Sequence, residues 1–222
     1  MYEFLISPNR FLEKQTVGFH NTYYTGYNEP DNPNFLNELK NNFNNANISI
    51  LNEARDTVTN ILQNDLTIIL RNIMPSCICV CVPRAKKIST YSDKQLMFIE
   101  GVRNAVSSIS AELKSLEKIG KIKSDVYKIK DGTDYIIRKK NTQTTHLRNS
   151  NVPGNDGDEP YPGITKETCI INKNEIKGQN IILIDDIYTK TVNIDEDCIQ
   201  ALYDYGANKV IFYAIAFTRR NQ

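Results

Sequence analysis

The chain has 222 residues, 27 basic against 26 acidic, with 40% hydrophobic and 24% charged side chains. That composition excludes a disordered chain, and at roughly 100–200 residues per domain the length allows one extended domain or two small ones. A formal charge of +1 disfavours a surface given over to nucleic acid or acidic membrane, although local basic patches remain compatible with it. Apolar runs such as Cys77 to Val82 fall far short of the roughly 20 residues of a spanning helix. The start, Met1-Tyr-Glu-Phe-Leu-Ile-Ser-Pro8, has no basic segment and no small-residue cleavage site, so the expected location is the cytoplasm. Five cysteines, an odd number, fit reduced thiols better than a disulfide framework.

The first 33 residues read as irregular, with Tyr23, Tyr24 and Tyr27 close together and Pro30 and Pro33 closing the segment. The tyrosines are expected to pack on their own domain, and His20, alone in this stretch, is expected to carry no special role. A helical pattern begins at Phe35 and is interrupted by the Asn-rich run 41–47, where asparagine favours turns over helix. A second helix is expected after Ser49, its candidate N-cap. Leu51, Ala54, Val58, Leu62, Leu66, Ile69 and Ile73 recur there at spacings of three and four, up to Pro75.

From about residue 76 the pattern changes. Cys77 to Pro83 is a continuous apolar strand, as in a parallel sheet covered on both faces. Cys77, Cys79 and Cys81 share one side of it. With no matching Cys or His cluster downstream, they read as small core residues and not as metal ligands. A basic loop, Arg84-Ala-Lys86-Lys87, follows. A long helix is expected from Ser92 or Asp93 to Ile119, stopped by Gly120. Strands are expected at 125–129 and 135–137 on either side of an Asp131-Gly132 turn. Residues 149–163, dense in Asn, Pro, Gly and Asp, form a loop before a strand at 168–171. Ile181-Ile-Leu-Ile184 is the clearest buried strand, followed by a helix from Asn193 to Tyr205, Gly206, and a last strand from Val210 to Ala216. Strands alternating with helices predict an α/β fold with a mostly parallel sheet flanked by helices. The expected organisation is an N-terminal extension, 1–75, irregular then helical, and a domain at 76–222.

Ligands of such sheets sit at the C-terminal strand ends. There the chain reads Ile184-Asp185-Asp186-Ile-Tyr188-Thr189-Lys190-Thr191-Val192-Asn193. Two adjacent carboxylates at a strand tip suit the vicinal hydroxyls of a sugar, and a polar loop entering a helix N-terminus suits a phosphate. Asp195, Glu196 and Asp197 are expected to complement the helix dipole, with Asn193 and Glu196 forming a capping box.

This stretch resembles the type I phosphoribosyltransferases, whose signature is four apolar residues, two acids, two variable residues and then Thr-Thr-Gly-x-Thr or Ser. Cys79-Val-Cys-Val-Pro83-Arg84 resembles that family's first core strand and pyrophosphate loop. Tyr91-Ser-Asp-Lys-Gln95 sits where competence-protein-F-like (ComF) members have Arg-Gly-Phe-Asn-Gln. The segment Arg138 to Leu147, with Thr142, Gln143 and His146, then Arg148 and Asn151, is similar to their Arg-x-x-x-Thr-x-x-Gln-x-x-Leu and Arg-x-x-Asn pattern, and Lys177-Gly178 also fits. The resemblance spans about residues 76–219. The chain departs from it in the loop, where Thr189-Lys190-Thr191-Val192-Asn193 lacks the glycine.

The resemblance implies a Mg²⁺-dependent transferase using phosphoribosyl pyrophosphate (PRPP). Asp185 and Asp186 would hold the ribose hydroxyls, and Thr189, Lys190, Thr191, Val192 and Asn193 the 5′-phosphate. Arg84, Lys86, Lys87 and Arg138 would neutralise pyrophosphate. Mg²⁺ would bridge pyrophosphate and sugar, reached by the carboxylates through the ligand. A homodimer is the usual family habit. The second expectation is a fold retained as a PRPP- or nucleotide-sensing or partner-binding module without transfer. A nucleic-acid role is a third, not favoured by the near-zero charge.

Overall fold

The computed structural model describes residues 1–27, 29–40, 47–144, 155 and 157–219. His146, Leu147, Arg148 and Asn151, and most of the Asn-rich run, lie outside the described residues. The fold is α/β, built on a mostly parallel sheet flanked by helices, as the alternation of strands and helices predicts.

The first surprise is at the N-terminus. The segment expected to be irregular carries β1 (Tyr2–Ile6) and β2 (Thr16–Tyr24), paired antiparallel with Phe4 opposite Gly18. A Cβ at Gly18 would lie 2.6 Å from the Phe4 ring, so the missing side chain lets that ring fold down over the strand. The run Thr-Val-Gly-Phe-His-Asn-Thr-Tyr-Tyr is rich in β-branched and aromatic residues, which fit a pleated, half-buried surface. His20 is therefore a strand residue, 3% exposed. Its Nδ1 lies 2.8 Å from the Thr22 carbonyl, and its ring sits among Tyr2, Phe4, Tyr23 and Phe217.

Helices α1 (Asn34–Lys40) and α2 (Ile48–Asn72) follow. The N-cap of α2 is Asn47 and not Ser49; the Asn47 Oδ1 accepts from the Ile50 amide at 3.0 Å. Next come β3 (Ser76–Cys81), α3 (Asp93–Lys118) and β4 (Lys128–Asp131). Ser92 and Gln95 close a capping box on α3. Strands β5 (Ile136–Arg138) and β6 (Cys169–Ile171) pair antiparallel in a small separate sheet and do not join the main one. A single turn, α4 (Lys173–Ile176), leads to β7 (Asn180–Tyr188), α5 (Ile194–Asp204) and β8 (Lys209–Thr218).

The main sheet runs in the order β1-β2-β8-β7-β3-β4, with every pair except β1·β2 parallel. Two of its six strands precede residue 76, so the sheet crosses the expected boundary between extension and domain. Alternate residues of each strand face opposite layers. Cys77, Cys79 and Cys81 join Ile182, Ile184, Ile211 and Tyr213 against α1, α2 and α3. Ile78, Val80, Ile181, Leu183 and Phe212 face α5 and the β5–β6 layer. All five cysteines are buried and free. Among the described residues no helix is long and apolar enough to cross a membrane.

The crossover β3–α3–β4 leads outward on one side, and β7–α5–β8 leads outward on the other. Strands β3 and β7 thus flank the point where the winding reverses. Crevices open at such points, beyond the C-terminal strand ends.

Candidate functional site

Strand β3 stops at Cys81, opposite Ile184, while β7 continues to Tyr188 along β8. Asp185 and Asp186 therefore lie within a strand that has lost one neighbour, and not at a strand tip as the sequence suggests. A cleft forms at the step. Cys81, Val82, Pro83 and Arg84 line it from the β3 side, Asp185 and Asp186 from β7, and Arg138 and Tyr91 close it. Its volume is about 40 Å³, room for a few waters at roughly 10–15 Å³ each. A sugar phosphate enters only if surrounding side chains move.

The two acids face opposite layers. Asp186 points to the α1 side, where its Oδ1 accepts from Lys40 Nζ at 2.8 Å and from the Ile187 amide at 2.7 Å. Burial pushes its carboxyl up, but Lys40 and Arg84 together hold it below the ordinary value. The same pairing overrides burial at Lys40 and raises that ammonium. Asp185 points to the α5 side, where its carboxyl lies against that of Asp195. Burial, then the charge of Asp186, raise Asp185 to about 6. Asp195 is 1% exposed and is raised well above the usual carboxylate range, first by burial and then by Asp185. Two carboxyls in contact can both be accommodated only if they hold a proton between them.

The first turn of α5 is thus not a solvated acidic cap. Glu196 Oε1 accepts from the Tyr188 hydroxyl at 2.9 Å, and Asp197 Oδ2 accepts the amides of Gly163 and Ile164 at 2.6 and 2.9 Å. Asn193 makes no side-chain cap bond, so the expected capping box is absent.

Arg84 turns its Nη2 to the Leu39 carbonyl at the end of α1, 3.2 Å away. Tyr91 is half-buried beside Arg84, and burial pushes its hydroxyl up to about 12. Arg138 is 2% exposed. Its Nε donates to the Arg84 carbonyl at 3.1 Å and its Nη1 to the Gly163 carbonyl, while Nη2 has no partner among the described residues.

The structure therefore gathers Asp185, Asp186, Arg84 and Arg138 around one cleft. It does not bring the other predicted residues there. Lys86 is half-buried and Lys87 exposed, and neither lines the cleft. Thr189, Lys190, Thr191, Val192 and Asn193 lie past Tyr188, also off its wall. Thr189 Oγ1 meets Thr218 Oγ1 at 2.7 Å, Val192 closes a turn onto the Thr189 carbonyl, and Asn193 accepts from Asn9. Gln143 bonds its amide to the Asp158 carbonyl. Tyr24 donates to Asn37, and Tyr23 packs among rings. Sequence reasoning missed Lys40 and Asp195. Nothing local marks Lys40; Asp195 carried a signal in its place beside the acidic strand, which dipole complementarity masked.

Among the described residues no cluster of three or more His, Cys, Asp or Glu side chains is set to hold a metal. Mg²⁺ ordinarily needs less, one or two carboxylates with substrate phosphates supplying the rest. The donor set of Asp185 and Asp186, facing a cleft with two guanidinium residues, fits that requirement. No protein-family model matches the chain, and no curated protein is a significant match to it.

Proposed function

We propose that the chain is a phosphoribosyltransferase acting on PRPP. One observation carries this reading: a crevice at the β3/β7 reversal combines two adjacent carboxylates with Arg84 and Arg138. Carboxylates accept from vicinal hydroxyls, and forked guanidinium groups suit diphosphate oxygens. Asp185 and Asp186 hold the ribose 2′- and 3′-hydroxyls from the two faces of β7. Arg84 and the Nη2 of Arg138, which has no partner among the described residues, neutralise pyrophosphate. The acceptor's lone pair forms the new bond at the anomeric carbon, and the bonding pair to pyrophosphate leaves with it. Cations fixed beside that leaving group stabilise charge as it develops. When bound with PRPP, Mg²⁺ adds charge neutralisation on the pyrophosphate.

Calorimetry with Mg·PRPP tests this. Wild type is expected to bind, and the pair Asp185→Asn with Asp186→Asn to lose binding. No binding at millimolar ligand, or equal binding by the pair variant, overturns it.

The second reading is a PRPP- or nucleotide-sensing module without transfer. The position of Thr189 to Asn193 off the cleft wall, in a loop with no glycine, favours it. It expects binding without pyrophosphate release for any base offered; acceptor-dependent release of pyrophosphate overturns it.

A further inference from the structure

Lys40 is the cation closest to the acid pair, and it comes from a part of the chain that shares no motif with it. Its backbone is well placed. Leu36 and Leu39 are buried in the core, Asn37 accepts from the Tyr24 hydroxyl at 2.8 Å and donates to Asn34, and Arg84 binds the Leu39 carbonyl. Only the side chain beyond Cα is free to reorient, and it is 37% exposed. Its ammonium occupies Asp186 Oδ1 beside the Ile187 amide. A hydroxyl that takes this oxygen displaces Lys40. The displaced ammonium then needs a new anion, and the cations nearby, Arg84 and Arg138, cannot supply one.

We infer that Lys40 is a ligand-recognition residue that exchanges partners, leaving Asp186 for a diphosphate oxygen of the ligand when the diol arrives. This rests on the phosphoribosyltransferase reading. The exchange couples the two halves of the ligand. Ribose 5-phosphate offers the diol without a diphosphate and strands the ammonium. Pyrophosphate offers the anion without the diol and strands Asp186. A ligand carrying both satisfies every group. Selectivity then comes from the groups left unpaired by the wrong ligand, which penalise it more than a lost contact alone.

The test is calorimetry of Mg·PRPP and ribose 5-phosphate against wild type, Lys40→Met, Lys40→Gln and Lys40→Arg. Lys40→Met is expected to weaken Mg·PRPP by roughly 10- to 100-fold, the range of one lost charge-assisted hydrogen bond. The same change is expected to tighten ribose 5-phosphate, because the diol no longer competes with an ammonium. Lys40→Arg restores most PRPP affinity. Lys40→Gln keeps a neutral donor for Asp186 and serves if the Met chain does not fold; it too is expected to weaken PRPP. A simple structural role moves both ligands alike. Tighter binding of both ligands to Lys40→Met identifies Lys40 as a plug and overturns the exchange, as does unchanged PRPP affinity. If wild type binds neither ligand, the transferase reading fails and the inference with it; if wild type binds PRPP and the variants match it, only the inference fails.

Discussion

Asp185 and Asp186 are neighbours in the chain yet answer to different helices: Asp186 is bound by Lys40 of α1, and Asp185 lies against the carboxyl of Asp195 of α5. The alternation of a β-strand puts consecutive side chains on opposite faces. One acid is consequently held ionised by a cation, while the other is pushed toward its neutral form by burial and by the charge of Asp186. Different protonation at adjacent positions is how one site presents both an acceptor and a proton.

The Asp185–Asp195 contact makes stability depend on pH. Asp185 is raised to about 6 and Asp195 is raised as well, so the folded chain keeps protons that the unfolded chain releases near pH 4. This contribution is fully present below about pH 4 and is lost as pH rises through the folded values. Asp195→Asn removes one ionisable carboxyl and keeps a donor for Asp185. Between about pH 4 and pH 8 it is expected to gain roughly 1–3 kcal/mol relative to wild type. Denaturant unfolding at both pH values checks it, and identical pH dependence in the two chains contradicts it.

Arg138 ties the β3 loop to the segment before β6 through the carbonyls of Arg84 and Gly163. Arg138→Met removes one donor from each carbonyl, Gly163 keeping the Thr168 hydroxyl, and is expected to cost about 2–4 kcal/mol. Arg138→Lys is expected to recover less than half, because an ammonium cannot reproduce the planar fork. Unfolding free energies of the three chains decide the matter; a lysine variant as stable as wild type would show that the fork is dispensable.

Asp197 does for the same segment what Arg138 does from the other side. Its Oδ2 receives two buried amides, those of Gly163 and Ile164. Asp197→Ala is expected to cost about 2–3 kcal/mol and to speed hydrogen exchange at those two amides more than elsewhere. Exchange that rises uniformly, or not at all, would mean the segment is held by other contacts.

Helices α2 and α3 meet at Gly101, where an added Cβ would lie 3.0 Å from Val58 Cγ1 and 3.2 Å from the Arg55 carbonyl. Gly101→Val is expected to destabilise by roughly 1–3 kcal/mol through overpacking. Adding Val58→Ala should return part of that loss, so the two changes will be non-additive. Thermal melts of the single and double variants measure the coupling, and strict additivity would place the strain elsewhere.

Features with local causes were legible in the chain. The start of α3 at Ser92 or Asp93, the stop at Gly120, and the apolar runs of β3, β7 and β8 depend on neighbours within a turn or a pleat. Two adjacent acids following an apolar strand also marked where to look for a site. The rest depends on distant partners. Strand β2 was missed because its place is set by parallel pairing with β8, Gly18 opposite Phe212, nearly 200 positions later. Strand β7 runs through its acids because β8 keeps pairing with it as far as Tyr188. Lys40 reaches Asp186 across 146 positions, and the acids of α5 became buried because that helix docks over β7 and the 163–164 amides. Sequence by itself determined which segments are apolar, periodic or capped, since those follow from local sterics and hydrogen bonding. Tertiary structure alone decided which charges meet and which are desolvated, since Coulomb and burial terms depend on distance in space.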